Sequence, residues 1–231
     1  MNSTVILLGT GGAALRERVR AVAPDAEIVA PDDKGALARA NVIYGGAGPD
    51  QIGQARNLRW LQLISAGVNR WPLGELSARG VMVTNTSGIH AGPIAEQMFG
   101  MLLMKTRALD IALREQPKHT WEGFDYGPHV QRIGGKTLGV LGVGAIGQHA
   151  ATIGAAFGMR VIGLRRGGEN APHIEATFAP DAKLEFFART DVVMNTLPLT
   201  DETRDFMGEA EFGALPDGAI VINTGRGETA P

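Results

Sequence analysis

The 231-residue sequence contains no cysteine, which excludes disulfide bonds and thiolate chemistry and fits a reducing compartment. No apolar run approaches the roughly 18 residues of a membrane span, so no membrane contact is expected. The 22 Lys and Arg residues nearly balance the 24 Asp and Glu residues, so no binding to nucleic acid is expected. The first apolar run, residues 5–8, has no basic residue before it and predicts a strand, not a signal peptide. We therefore expect a cytoplasmic protein.

Several catalytic patterns are missing as well. The sequence has neither Gly-x-Ser-x-Gly nor Ser-x-x-Lys, the local signatures of familiar serine nucleophiles. Without cysteine and without His-x-x-x-His spacing, no metal site is predicted. A hydrolase that reuses a cleft between domains remains an alternative, but no motif supports it.

Two series of short apolar runs alternate with helical patterns, which is typical of parallel sheets covered by helices. The first series predicts strands at residues 5–8, 28–30, 42–44, 58–64 and 81–84, with helices between them at 13–23 and 70–78. The second predicts four strands, at 136–141, 160–164, 191–195 and 219–223, and a helix at 145–157. One helix is predicted from Pro93 through Leu109, and residues 116–132 are predicted to be irregular.

The clearest local motif is Gly142-Val-Gly144-Ala145-Ile146-Gly147, between a predicted strand and a predicted helix. Its glycines allow a tight turn, close approach of backbone to a pyrophosphate, and close packing of helix on strand. The free N–H groups of the helix would face the phosphates. The motif favours dinucleotide binding over a merely structural turn.

A looser version, Gly9-Thr-Gly11-Gly-Ala-Ala14, also follows a strand, and Asp32 and Asp33 lie near the spacing expected of a ribose-binding acid. The helix after it has few strong apolar anchors, so a structural turn is the favoured interpretation.

Arg165 and Arg166 follow the second strand of the second series, where an NAD-preferring site would carry an acid. Arginine can bind a 2′-phosphate through charge-assisted hydrogen bonds. The alternative is a solvated basic turn. We expect NADP(H) to be preferred over NAD(H).

Five stretches together resemble D-2-hydroxyacid dehydrogenases, in particular the glyoxylate/hydroxypyruvate reductase-like branch. They are Ser65-Ala-Gly-Val-Asn69, Gly88-Ile-His-Ala-Gly-Pro-Ile-Ala-Glu96, Thr137-Leu-Gly-Val-Leu-Gly-Val-Gly-Ala-Ile-Gly147, and the pair Leu197-Pro-Leu-Thr-Asp-Glu-Thr203 with Asn223-Thr-Gly-Arg-Gly227. The resemblance implies an α/β protein with a flavodoxin-like substrate domain at 1–92, an interdomain helix and connection at 93–132, and a Rossmann NAD(P)-binding domain at 133–231. It also implies hydride transfer between NAD(P)H and a small 2-keto or 2-hydroxy acid in the cleft between the domains.

The resemblance assigns roles to particular residues. The backbone N–H groups of Ala66, Gly67 and Val68 would bind the substrate carboxylate, although Asn69 departs from the family's usual Asp. His90 would contact the substrate, make a structural hydrogen bond, or act as a substitute acid. Arg226 would be the catalytic arginine, whose guanidinium fork holds the carboxylate and polarises the keto oxygen. The remaining residues would contact the cofactor: Leu197, Pro198 and Thr203 along its length, and Thr224 near the nicotinamide.

The family's catalytic His and its partner Glu come from beyond this arginine, and the sequence ends at Pro231. We therefore expect a C-terminally truncated Rossmann domain with reduced activity, since general acid–base catalysis contributes about 10²–10⁴-fold. A non-catalytic dinucleotide-binding protein is the main alternative. Residues 219–223 would then be an exposed apolar edge strand, which predicts a homo-oligomer formed at that edge.

Overall fold

The computed structural model describes residues 3–119 and 127–231. The chain divides into two units, Met1–Ile89 and His90–Pro231. Residues 120–126, part of the stretch predicted to be irregular, lie outside the described residues. None of the described helices is long and apolar enough to cross a membrane.

The first unit contains five parallel strands in the order β2-β1-β3-β4-β5. This is the flavodoxin-like order, and the predicted fold of this unit is confirmed. Its elements are β1 (Val5–Leu8), α1 (Gly12–Val22), β2 (Glu27–Val29), α2 (Ala36–Arg39), β3 (Val42–Tyr44), β4 (Trp60–Gln62), α3 (Leu73–Ala78) and β5 (Met82–Thr84).

The core of this unit lies against the middle of the sheet, where Ile43 of β3 and Leu61 of β4 pack with Leu76 of α3. The glycines near its start have a packing explanation. A Cβ added to Gly9 would overlap the backbone of Gly46, because the loops after β1 and β3 run against each other. The Gly9–Ala14 pattern therefore needs no nucleotide to account for it.

The second unit contains a parallel sheet in the order β10-β9-β6-β7-β8. Its elements are α4 (Ala91–Thr106), α5 (Leu109–Glu115), β6 (Thr137–Leu141), α6 (Ala145–Ala156), β7 (Arg160–Leu164), β8 (Ala176–Phe178), α7 (Lys183–Ala188), β9 (Val192–Asn195), α8 (Glu209–Ala214) and β10 (Ile220–Asn223). Numbered from β6, the strands follow the Rossmann order, with the first strand between the second and the fourth. The predicted Rossmann fold is confirmed.

Two details of the prediction were wrong. The second sheet has five strands, not four, because β8 also pairs with β7. Only Phe178 of β8 is buried, so this short edge strand lacks the apolar run that marks the others. The helix predicted from Pro93 through Leu109 is two helices, α4 and α5, because Ala108 adopts a left-handed conformation with φ of 55°. Apolar spacing continues across this break and therefore conceals it.

The second sheet is covered on both faces, as the continuous burial of β6 requires. Alternate residues of one strand enter different cores. Val192 and Met194 of β9 pack in the cluster that includes α4 and α6, whereas Val193 packs with Phe186 and Phe187 of α7. The strands are therefore held between two helical layers, and their carboxyl ends share one edge of the sheet.

Candidate cofactor and substrate site

The chain reverses its direction of winding between β6 and β9, which are neighbours in the second sheet. The loops that leave the two strands diverge there, and open α/β sheets bind ligands at such a point, outside the carboxyl ends of the strands. The side chain of Thr196 connects the two exits, because its Oγ1 donates a hydrogen bond of 2.6 Å to the carbonyl of Gly142. The loops that follow β6 and β9 thus form one tied structure.

The three glycines of the Gly142–Gly147 motif have different structural roles. Gly142 has a φ of 91°, a conformation that glycine adopts without strain, and a Cβ there would lie 3.1 Å from Cδ2 of Leu197. A Cβ on Gly147 would overlap the carbonyl oxygen of Gly142 and lie 2.8 Å from Cγ1 of Val140. A Cβ on Gly144 would enter open space, with no described atom within 4 Å apart from its immediate chain surroundings. The glycines therefore pack the turn tightly and leave its outer side free.

The residues of this turn fit a dinucleotide. Gly144 is the N-cap of α6, and among the described residues no side chain caps this helix. The first N–H groups of α6 are thus available to a phosphate, which the helix dipole also favours. The absence of a Cβ at Gly144 gives a pyrophosphate room to approach the backbone.

A cavity of about 620 Å³ opens beside this turn. Seven of the predicted cofactor residues line it: Gly142, Gly144, Arg165, Arg166, Leu197, Pro198 and Thr203. The others do not line this cavity: Ala145, Ile146 and Gly147 form the first turn of α6, and Thr224 follows β10. The sequence analysis assigned no cofactor contact to the seven further lining residues: Val143, Leu164, Gly167, Pro180, Thr196, Glu202 and Phe206. Thr196 and Glu202 lie in or beside the quoted Leu197–Thr203 motif, which was the available signal.

The charges in this cavity are of both signs. Arg165 and Arg166 follow β7, and Arg165 forms an ion pair of 3.3 Å with the exposed carboxylate of Glu169. Glu202 comes from the turn after β9, and its pKa lies below the ordinary value of 4.5. The first cause is a hydrogen bond with the side chain of Thr200, followed by its own backbone N–H and the charge of Arg166. The carboxylate is therefore ionised at neutral pH.

The turn that bears Glu202 is internally bonded. Oγ1 of Thr203 donates to the carbonyl of Pro198 at 2.6 Å and accepts from the backbone N–H of Thr200 at 2.8 Å. The hydroxyl of Thr203 thus shapes the turn, in addition to lining the cavity.

The loop after β10 carries Arg226 and is tied to the end of β9. Asn195 is fully buried; its Nδ2 donates to Oγ1 of Thr229 at 2.8 Å, and its Oδ1 accepts from the N–H of Leu197 at 3.0 Å. Oγ1 of Thr229 donates in turn to the carbonyl of Arg226 at 2.7 Å. Thr224 donates from Oγ1 to the carbonyl of Asn195 at 3.2 Å. One buried amide therefore joins the Leu197 turn to the backbone of Arg226.

The guanidinium of Arg226 is exposed. Its Nη1 donates to the carbonyl of Gly225 at 2.9 Å, and no carboxylate of the described residues forms an ion pair with it. Its remaining donors can therefore reach an anion. A guanidinium fork suits a carboxylate, which it can bind through two parallel hydrogen bonds.

The predicted carboxylate-binding loop lies in the first unit. Nδ2 of Asn85 donates to the carbonyl of Ala66 at 2.7 Å, and Oγ of Ser65 donates to the carbonyl of Gly67 at 2.9 Å. These bonds hold the carbonyls, whereas the N–H groups of Ala66, Gly67 and Val68 donate no hydrogen bond within the described ranges. The loop thus presents three unpaired backbone donors.

His90 lies at the other predicted substrate position. It is exposed at the N-terminus of α4, and its carbonyl accepts the N–H of Ile94 at 3.0 Å. It belongs to the second unit, as does Arg226, whereas Ala66–Val68 belongs to the first. Among residues 3–119 and 127–231, no group of His, Asp and Glu is placed to hold a metal ion.

Comparisons with known proteins agree with this geometry. Residues 99–230 match the family model described as D-isomer specific 2-hydroxyacid dehydrogenase, NAD binding domain. The chain is 33% identical over 183 residues to a glyoxylate reductase of Aeropyrum pernix, covering 77% of this chain and 55% of the relative. It is 29% identical to a hydroxypyruvate reductase of Thermotoga maritima, covering 78% and 57%. The chain thus spans about half the length of these curated relatives.

Among solved structures, a D-isomer specific 2-hydroxyacid dehydrogenase family protein from Aeromonas salmonicida superposes with a TM-score of 0.80. It is 30% identical, with 100% of this chain and 75% of the other covered. These relatives are reductases and dehydrogenases, which does not favour the hydrolase or the non-catalytic alternative. The chain belongs to the D-isomer specific 2-hydroxyacid dehydrogenase family and contains its NAD-binding domain.

Proposed function

We propose that this protein is an oxidoreductase that transfers hydride between NAD(P)H and a small 2-keto or 2-hydroxy acid. The observation that carries the proposal is the cavity lined by Gly142 and by Gly144, the N-cap residue of α6, a helix that no side chain of the described residues caps. The pyrophosphate would bind the N–H groups of that helix, and the turn at Leu197 and Pro198 would lie along the cofactor. The bound nicotinamide supplies or accepts the hydride.

We further propose a preference for NADP(H) over NAD(H). Arg165 and Arg166 line the cavity at the end of β7, where a Rossmann domain meets the adenosine ribose. Two guanidinium groups favour a 2′-phosphate, which offers them charged acceptors. Substitution of Arg166 by Ala should therefore weaken binding of NADPH more than binding of NADH.

For the substrate, we propose that Arg226 binds the carboxylate and polarises the keto oxygen. Its exposed guanidinium and its attachment to the Leu197 turn through Asn195 support this role. We propose separately that the unpaired N–H groups of Ala66, Gly67 and Val68 bind a substrate carboxylate and that His90 contacts the substrate. The printed names of two relatives make glyoxylate and hydroxypyruvate the first substrates to test.

The test is NADPH oxidation with glyoxylate and with hydroxypyruvate. We expect turnover that falls by a factor of about 10² or more in Arg226→Ala, as when one transition-state donor is removed from an active site. Arg204→Ala is the matched control, because Arg204 is also exposed, lies beside a residue that hydrogen-bonds to the Arg226 loop, and has no proposed contact with substrate or cofactor. NADPH binding without turnover in the unmodified protein would refute the reductase and leave a cofactor-binding protein.

We also propose that the protein self-associates at β10. This strand forms an edge of the second sheet and, in the described structure, pairs only with β9. Its side chains are only partly buried at Ile220 and Val221. An apolar edge strand offers unpaired backbone groups to a second chain.

A further inference from the structure

The cavity beside the glycine turn is lined by an acidic residue as well as by the arginines that would bind an anionic ligand. Arg166 and Glu202 both line it, although they come from loops after different strands, β7 and β9. Arg165 also lines the cavity, but it forms an ion pair with Glu169, a residue outside the cavity lining. No carboxylate of the described residues forms an ion pair with Arg166, so its guanidinium is available to a ligand.

Glu202 is a fixed negative charge in this setting. Thr200 and Thr203 hold the turn in shape through the 2.8 Å bond between them. The hydrogen bond with Thr200, the backbone N–H of Glu202 and the charge of Arg166 keep the pKa of Glu202 low. The acid therefore stays ionised in the range where a nucleotide phosphate is also charged.

We propose that Glu202 is a specificity-determining residue that weakens discrimination in favour of NADP(H) and retains binding of NAD(H). A 2′-phosphate bound at Arg166 would share the cavity with a like charge, which disfavours it. A ribose 2′-hydroxyl can instead donate a hydrogen bond to a carboxylate, the role that an acid plays in NAD-binding Rossmann domains. The arginines and Glu202 thus act in opposite directions on one group of the cofactor.

This inference rests on the proposed function, because it requires a dinucleotide in this cavity. The size of the effect follows from exposure. Glu202 is exposed to solvent, so water and salt screen its repulsion of a bound phosphate. We therefore expect a shift of a few-fold in the ratio of two dissociation constants.

The experiment is isothermal titration of NADPH and NADH into the unmodified protein, Glu202→Gln and Asp201→Asn. Asp201 is the matched control, because its substitution removes the same charge from the same exposed turn but lies outside the cavity lining. In Glu202→Gln, the ratio of Kd for NADPH to Kd for NADH should fall about two- to five-fold. In Asp201→Asn the ratio should change less, and the Glu202→Gln shift should shrink in 1 M salt.

Two results would overturn the inference alone: an unchanged ratio in Glu202→Gln with both cofactors still bound, or an equal shift in Asp201→Asn. Binding of neither cofactor by the unmodified protein would instead refute the proposed function, and the inference with it. Thermal melting of each variant shows whether it is folded, so that a change in Kd is not confused with unfolding. Glu202→Ala repeats the test without introducing a side-chain amide.

Discussion

Among single residues, two glycines of one motif should respond differently to the same substitution. Gly147→Ala adds a methyl group against the carbonyl of Gly142 and the side chain of Val140. We expect it to destabilise the protein by about 1–3 kcal/mol, as overpacking does. Gly144→Ala places its methyl group in open space at an extended backbone conformation, so stability should be retained.

Cofactor binding should be weakened in Gly144→Ala, the variant that retains its stability. The methyl group of Gly144→Ala would occupy the space that a pyrophosphate needs, so NADPH binding should weaken about tenfold, which corresponds to about 1.4 kcal/mol. Urea unfolding and NADPH titration measure the two effects. Equal losses of stability in the two variants would contradict the assignment of different roles to these glycines.

Glu211 gives a prediction about pH. Burial by itself raises the pKa of this carboxyl, but the hydrogen bond from Lys183, the N–H of Gly208 and the charge of Lys183 outweigh burial and lower it below 4.5. Its Oε1 lies 2.9 Å from Nζ of Lys183, and its Oε2 accepts from Gly208 at 2.8 Å. A carboxyl whose pKa is lower in the folded state stabilises the protein at pH values above its unfolded-state pKa. This stabilisation is lost as the pH falls through the folded-state pKa.

We therefore expect Glu211→Ala to cost about 1–3 kcal/mol at pH 7, because it removes hydrogen bonds to a charged group. The difference in free energy of unfolding between the variant and the unmodified protein should become smaller as the pH falls below 4.5. Glu209→Ala is the control, since Glu209 is exposed in the first turn of the same helix. Urea unfolding at pH 7, 5 and 3.5 measures the effect, and a difference independent of pH would contradict it.

Among elements, the loop after β10 depends on one hydroxyl. Thr229→Val keeps the shape of the side chain but leaves the buried Nδ2 of Asn195 without its partner. We expect a cost of about 1–3 kcal/mol, the penalty for an unsatisfied buried donor. Thr229→Ser keeps the hydroxyl and loses a methyl group, worth about 0.8 kcal/mol.

Hydrogen exchange provides the local measurement. In Thr229→Val the N–H of Ala230, which donates to Gly227, should exchange faster because the Arg226 loop has lost its tie to β9. In Thr229→Ser it should remain protected. Similar exchange in both variants would show that the hydroxyl does not hold the loop.

For the whole molecule, the edge at β10 leads to a prediction about assembly. Ile220 and Thr224 donate backbone N–H groups to the β9 side, so by alternation the N–H of Val221 faces the free edge. Sedimentation velocity should show an increase in mass with protein concentration. Val221→Pro, which removes that donor, should shift the protein toward monomer. A monomer at all concentrations in the unmodified protein would refute the proposal.

Much of this protein was predictable from its sequence because the information is local. Four of the five strands after Gly134 are largely apolar runs, and the Gly142–Gly147 motif lies between a strand and a helix, so a parallel sheet with a dinucleotide-binding turn was predictable from neighbouring residues alone. Family resemblance supplied Arg226 and the Ala66–Val68 loop. The short strand β8 and the break at Ala108 were missed, because one lacks an apolar run and the other interrupts no apolar pattern.

Only the tertiary structure decided which distant residues share an environment. Glu202 lines the same cavity as Arg166 because parallel strands end at one edge of the sheet, and sequence spacing does not report this. Asn195 joins the Leu197 turn to Arg226 because β9 and β10 are neighbours in register. The sequence by itself therefore determined parallel sheets covered by helices and the class of cofactor, through periodicity and a local motif, and the family resemblance implied the two-domain fold. The opposing charges in the cavity and the buried amide beneath Arg226 required the folded chain, since through-space contacts create them.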